Sequence, residues 1–122
     1  MPHVTLHYTG NVEGFDPDAA LHAINRCLAD SGHFNEAAIK SRALRLDHYR
    51  IGVAEETRAF LHVQLKVLPG RDAATRAGFA TLIVAALEAT LPARHPHLQL
   101  CVEVDELDAD TYTKRVIDAH NA

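Results

Sequence analysis

The stretch AFLHVQLKVLPGRD, residues 59–72, decides the fold. Ala59, Leu61, Val63, Leu65 and Val67 fall on one face of an extended chain and Phe60, His62, Gln64 and Lys66 on the other, because successive side chains of a strand point to opposite sides. Pro69-Gly70 then breaks the strand, and Asp72 supplies the oxygen that caps a helix start. The spacing of Phe79, Leu82, Ile83, Ala86 and Leu87 predicts a helix from Ala73 to about Thr90 with these residues on its buried side. Pro92 stops it, and Leu98, Leu100, Val102 and Val104 alternate with polar partners over a strand at 98–105.

Reading back toward the N-terminus gives the same order. Residues 3–8 alternate Val4, Leu6 and Tyr8 with His3, Thr5 and His7, the period of a half-buried strand. Gly10 to Gly14 is loop. Asp16-Pro17 joins an N-cap to a proline at the first helical position, and Ala20, Leu21, Ile24, Cys27 and Leu28 mark a helix that ends at Ser31-Gly32. Residues 38–50 are taken as a further strand, although their composition also suits helix. Asp108 caps a short terminal helix reaching Ile117.

The expected fold is thus α/β (α+β), a single domain over residues 1–122 with pseudo-repeats at about 1–55 and 57–107 and a C-terminal helical tail. Right-handed crossovers place two β-α-β units side by side as a four-stranded sheet with both helices on one face. The other face is bare and exposes Phe60 and Leu44 or Ala43, so burial against sister subunits is expected.

Composition narrows the function. With 48% hydrophobic and 23% charged residues, the 122-residue chain suits one packed domain. Sixteen acids against twelve bases give a formal charge of −4, which offers no field for nucleic acid or an anionic membrane surface. Two cysteines make no disulfide framework, no apolar run approaches the length of a membrane span, and His3, Thr5, His7 and Asn11 interrupt any leader-like run at the N-terminus. These features predict a soluble, cytoplasmic protein that begins at or next to Met1.

Three groups of residues carry candidate chemistry. Removal of Met1 would leave Pro2 with a free secondary amine, a base whose pKa burial and nearby cations lower toward neutrality. The plain alternative is that an edge strand tolerates a proline in its first position. Lys40 and Arg42, two apart on a strand, share a face, and Arg71 precedes a helix N-terminus, so the three suit an anionic small molecule. Their alternative is pairing with surface acids. Nine histidines, of which His95 with His97 and His3 with His7 are the nearest pairs, show no zinc-site spacing, and His62 reads as a hydrogen-bonded interface residue. Cys27 and Cys101 read as packing residues. No dinucleotide, P-loop or serine-hydrolase motif occurs.

The ordered set Met1-Pro2-His3, Ser31-Gly32-His33-Phe34 before Ile39-Lys40-Ser41-Arg42, Ala59-Phe60-Leu61-His62 before Pro69-Gly70-Arg71, Cys101 to Leu107, and Tyr112 to His120 resembles the tautomerase superfamily. Within it the resemblance is to the 5-carboxymethyl-2-hydroxymuconate isomerases, over nearly the whole chain. It implies a homotrimer with sheets facing a barrel-like centre. It also implies a cofactor-independent isomerase that moves a proton from the enol oxygen of a dienol polycarboxylate to a distant carbon, as in breakdown of aromatic compounds. Pro2 matches the catalytic proline, and Arg71 and Lys40 match the carboxylate-holding arginines. Arg42 completes the pattern. Lys40 departs from a family Ile-Arg-Ser-Arg, keeping the charge but losing the planar fork. A catalytically inactive trimeric protein that binds small carboxylates is the alternative, and a histidine-rich metal protein ranks below both.

Overall fold

Asp16 and Asp72 start the two helices in the same way. Oδ1 of Asp16 accepts the N–H groups of Asp18 at 3.0 Å and Ala19 at 3.2 Å, and Oδ1 of Asp72 accepts that of Thr75 at 2.8 Å. Each carboxylate satisfies donors that the first helical turn leaves free. The Thr75 N–H, followed by its hydroxyl, holds the Asp72 carboxyl below its usual range. Helix α1 spans Pro17–Asp30 and helix α2 spans Ala73–Ala89. Gly70 lies at φ +128°, a conformation that side chains strain to adopt, and lets the chain turn into α2.

The computed structural model describes residues 1–120. Strands β1 (His3–Thr9), β2 (Lys40–Leu46), β3 (Arg58–Val67) and β4 (His97–Glu106) form one sheet in the order β2-β1-β3-β4. β1 pairs parallel to β2 and β3 parallel to β4, as two β-α-β units require, while β1 and β3 run antiparallel where the units meet. Val4, Leu6, Leu61, Val63 and Leu65 from the central strands pack with Ile24 and Leu28 of α1 and Phe79, Ile83 and Leu87 of α2 in one buried cluster. Both helices therefore cover the same face. Each such side chain withdrawn from water contributes about 1.5–3 kcal/mol before the entropy of ordering is counted.

Several expectations need correction. The strand taken as 38–50 is shorter, because a 3-10 turn at Glu36–Ala38, started by Asn35, occupies its beginning and the ladder ends at Leu46. Ala43 points to the helix side, so Leu44, not Ala43, lies on the bare face, 47% exposed. Leu82 is likewise exposed on α2.

No helix forms over 108–117. Asp108 instead closes a single turn through the N–H groups of Thr111 and Tyr112, and the chain then runs on without regular structure. Val116 and Ile117, 71% and 85% exposed, bury no apolar face here, and a helix this short needs such burial to persist.

The bare face carries the polar residues that alternate along β3 and β4. Gln64 bridges Glu103 at 3.2 Å and Asp105 at 2.8 Å, and His62 meets Glu103 at 2.9 Å. Cys101 lies exposed in the same row and is no packing residue within this chain.

Candidate active site

Strand directions gather four chain segments at one end of the sheet. β1 and β2, being parallel, both begin there, with Pro2 ahead of His3 and Lys40 as the partner of His3. β3 runs the opposite way and ends there, so the Gly70-Arg71 turn leaves at this end. β4 is parallel to β3, and the tail after Glu106 departs from the same end.

Pro2 is buried, and its carbonyl accepts the Lys40 N–H at 3.1 Å. β1 is a central strand, not an edge, so tolerance of an edge proline does not account for Pro2. The residue sits one position before the ladder, where a missing N–H breaks no pair.

Arg71 is held in a defined pose. Its Nη2 donates to the carbonyl of His33 at 3.0 Å, and its guanidinium carbon lies 4.6 Å from the ring centre of Phe34 and 5.7 Å from that of Phe79. The two rings support each other at 5.0 Å. The rings and the His33 carbonyl restrict the guanidinium, a planar group whose geometry can match a carboxylate. The Lys40 ammonium donates to the Ala38 carbonyl.

The tail adds two groups that local sequence reading missed. Tyr112 places its hydroxyl 2.8 Å from Nε2 of His3, and Nζ of Lys114 lies 3.0 Å from Sδ of Met1. Among the described residues, Lys40, Arg42, Arg71 and Lys114 form no ion pair with a carboxylate.

The electrostatic consequence is a positive field at the chain start. Burial, then Arg71, Lys40 and Lys114, holds the Met1 amine below its ordinary value. Burial followed by Lys40, Arg42, the terminal amine and Lys114 does the same to His3. Burial and then Lys114 lower the Lys40 ammonium. Each disfavours a further positive charge in this region. Arg42 pairs with Thr5, two residues farther along the bare face from the chain start than Lys40, and acts on His3. The structure thus brings Pro2, Lys40 and Arg71 together and leaves Arg42 at the margin.

A separate cavity of about 290 Å³, lined by Asn11, Tyr49, Arg50 and Arg58 among others, lies at the opposite end of the sheet. No group of three or more histidine, cysteine or acidic side chains suited to a metal gathers among the described residues. No helix among them is long and apolar enough to cross a membrane.

The family model described as 5-carboxymethyl-2-hydroxymuconate isomerase matches residues 2–120. The fold is similar to that of a 5-carboxymethyl-2-hydroxymuconate isomerase from Deinococcus radiodurans R1, at 28% identity and TM-score 0.84 over 93% of this chain and 88% of that one. A 5-carboxymethyl-2-hydroxymuconate delta-isomerase is similar at 21% identity and TM-score 0.78, over 95% and 88% of the two chains. A fused 4-OT protein described as a symmetric trimer shares the fold at 12% identity and TM-score 0.72, over 93% of each chain. No curated protein sequence matches the chain.

Proposed function

The chain belongs to the 5-carboxymethyl-2-hydroxymuconate isomerase family and has the tautomerase fold, and from that premise we propose that it converts a dienol polycarboxylate, such as 5-carboxymethyl-2-hydroxymuconate, to its keto isomer. Pro2 is the acid and base once Met1 has been removed. With Met1 attached, the nitrogen of Pro2 is an amide and has no basicity. Freed, it is a secondary amine one residue from the position where burial, Arg71, Lys40 and Lys114 lower the Met1 amine. That convergence of cations on the chain start is the observation that carries the proposal.

The step is a proton transfer with no net oxidation. Neutral Pro2 takes the enol hydroxyl proton, the oxygen lone pair forms the C=O bond, and the conjugated double bonds shift. The resulting pyrrolidinium returns its proton to the distant carbon. No redox cofactor is needed to balance it. Arg71 and Lys40 hold substrate carboxylates, and Arg42 adds charge at the margin of the site. Lysine in place of the family arginine at position 40 leaves orientation to the fork of Arg71.

The protein assembles as a homotrimer with the bare sheet faces inward, and acts in the cytoplasm. The hydrogen-bonded row of His62, Gln64, Glu103 and Asp105 and the exposed Leu44 support burial of that face. A trimer would sediment at three times the chain mass.

The test is ketonisation of the dienol, followed by absorbance, for processed protein and for Pro2→Ala. A general base contributes about 10²–10⁴-fold, so a loss in that range is expected. Equal rates in the two proteins would remove Pro2 from the mechanism.

A further inference from the structure

The chain after β4 doubles back to the N-terminus. The carbonyl of Asp108 accepts the N–H groups of Thr111 at 3.2 Å and Tyr112 at 3.0 Å, and its carboxylate accepts that of Asp110 at 3.0 Å, turning the tail. The Tyr112 hydroxyl then meets His3, with the two rings edge to face at 5.6 Å. Two residues on, the Lys114 ammonium stands against Met1.

We propose that Lys114 is a specificity-determining residue, a third carboxylate contact delivered by this strap, which selects substrates bearing three carboxylates over those bearing one; the proposal rests on the isomerase reading above. The acceptor that Lys114 meets is a thioether sulfur, a weak partner for an ammonium group. No carboxylate among the described residues neutralises it. A substrate that replaces Met1 beside the Pro2 nitrogen therefore meets an exposed charged donor that no carboxylate among the described residues occupies. Lys114, Lys40 and Arg71 place three positive charges around a neutral amine. Three carboxylates balance them, whereas one leaves two cations uncompensated. The influence of Lys114 on the Met1 amine, His3 and Lys40 accords with this placement. Tyr112 is a positioning residue, acting through the turn that carries Lys114.

The experiment uses the full chain freed of Met1, as wild type, Lys114→Gln, Lys114→Met and Lys114→Arg. Turnover is measured on 5-carboxymethyl-2-hydroxymuconate, with three carboxylates, and on phenylenolpyruvate, with one. Calorimetry measures binding of the unreactive tricarballylate. On the pH plateau above the acid limb, where Pro2 is neutral in every variant, losing one charge-assisted contact should raise KM for the tricarboxylate about ten- to a hundredfold and weaken tricarballylate similarly, with kcat and the monocarboxylate constants within about threefold. Lys114→Arg should restore most of the loss. Wild type inactive on both enols would sink the isomerase reading, yet a loss of tricarballylate affinity confined to the Gln and Met variants would sustain Lys114 as a carboxylate contact. Any result other than a loss selective for the tricarboxylates overturns the proposal.

Discussion

The Tyr112 hydroxyl lies 2.8 Å from Nε2 of His3, a hydrogen bond between residues 109 positions apart. It joins the first strand to the last described segment and holds the strap at the chain start. Tyr112→Phe keeps the edge-to-face ring contact and removes only the hydrogen bond. The expected cost is about 0.5–1.5 kcal/mol by denaturant unfolding. Hydrogen exchange at residues 108–114 should also speed up, and unchanged exchange there would show that the strap is held by other means.

The same contact leads to a pH dependence. Burial, and then Lys40, Arg42, the terminal amine and Lys114, lower the His3 pKa, so the folded state prefers neutral imidazole. Between the depressed folded value and the unfolded value of about 6.5, the unfolded chain binds more protons, and stability rises with pH. The contribution of His3 is therefore complete above about 6.5 and is lost as pH falls toward the folded value. Unfolding free energies at pH 7.5 and 5.5 should differ less for His3→Gln than for wild type. An equal difference in the two proteins would assign the pH dependence to other groups, the amine at the chain start among them.

The parts of this molecule that a linear reading captured are those whose causes are local. Ala59 to Val67 alternate because a sheet has two faces, and Asp16 and Asp72 cap helices within three residues of themselves. β2 was harder, since Lys40, Arg42 and Arg45 give an edge strand little apolar alternation and Asn35 starts a 3-10 turn just before it. The capping signal of Asp108 is genuine but closes one turn only. What draws the chain onward is its contact with His3, which no local pattern encodes. Pro2, Lys40 and Arg71 were legible as chemical types, whereas Lys114 enters only once the fold brings the two chain ends together.

Arg71 owes its pose to Phe34, whose ring centre lies 4.6 Å from the guanidinium carbon. Arg71→Ala should raise KM for a carboxylated dienol about ten- to a hundredfold, the worth of a charge-assisted contact. Phe34→Leu keeps the charge and removes the stack. Its cost should be about two- to fivefold, in line with an exposed cation–π contact. Steady-state kinetics on both variants, with circular dichroism to confirm folding, separates orientation from charge. A Phe34→Leu effect as large as that of Arg71→Ala would mean that the ring itself touches substrate.

Lys40 offers the most direct test of the electrostatic mechanism. Its ammonium is one of three cations that disfavour protonation of the amine at the chain start. In the processed protein that amine is Pro2, and only its neutral form is a base. Lys40→Ala removes a repulsive charge, so the protonated form becomes less unfavourable and the amine pKa rises. The acid limb of kcat/KM, which reports the free enzyme, must then move to higher pH. A monocarboxylate enol as substrate keeps this shift distinct from a lost carboxylate contact. His3 faces the same field and titrates nearby, so the measurement is repeated in His3→Gln, where the limb should persist if it belongs to Pro2. An acid limb that stays in place in Lys40→Ala, or that moves to lower pH, would show that the cations do not set the basicity of the proline.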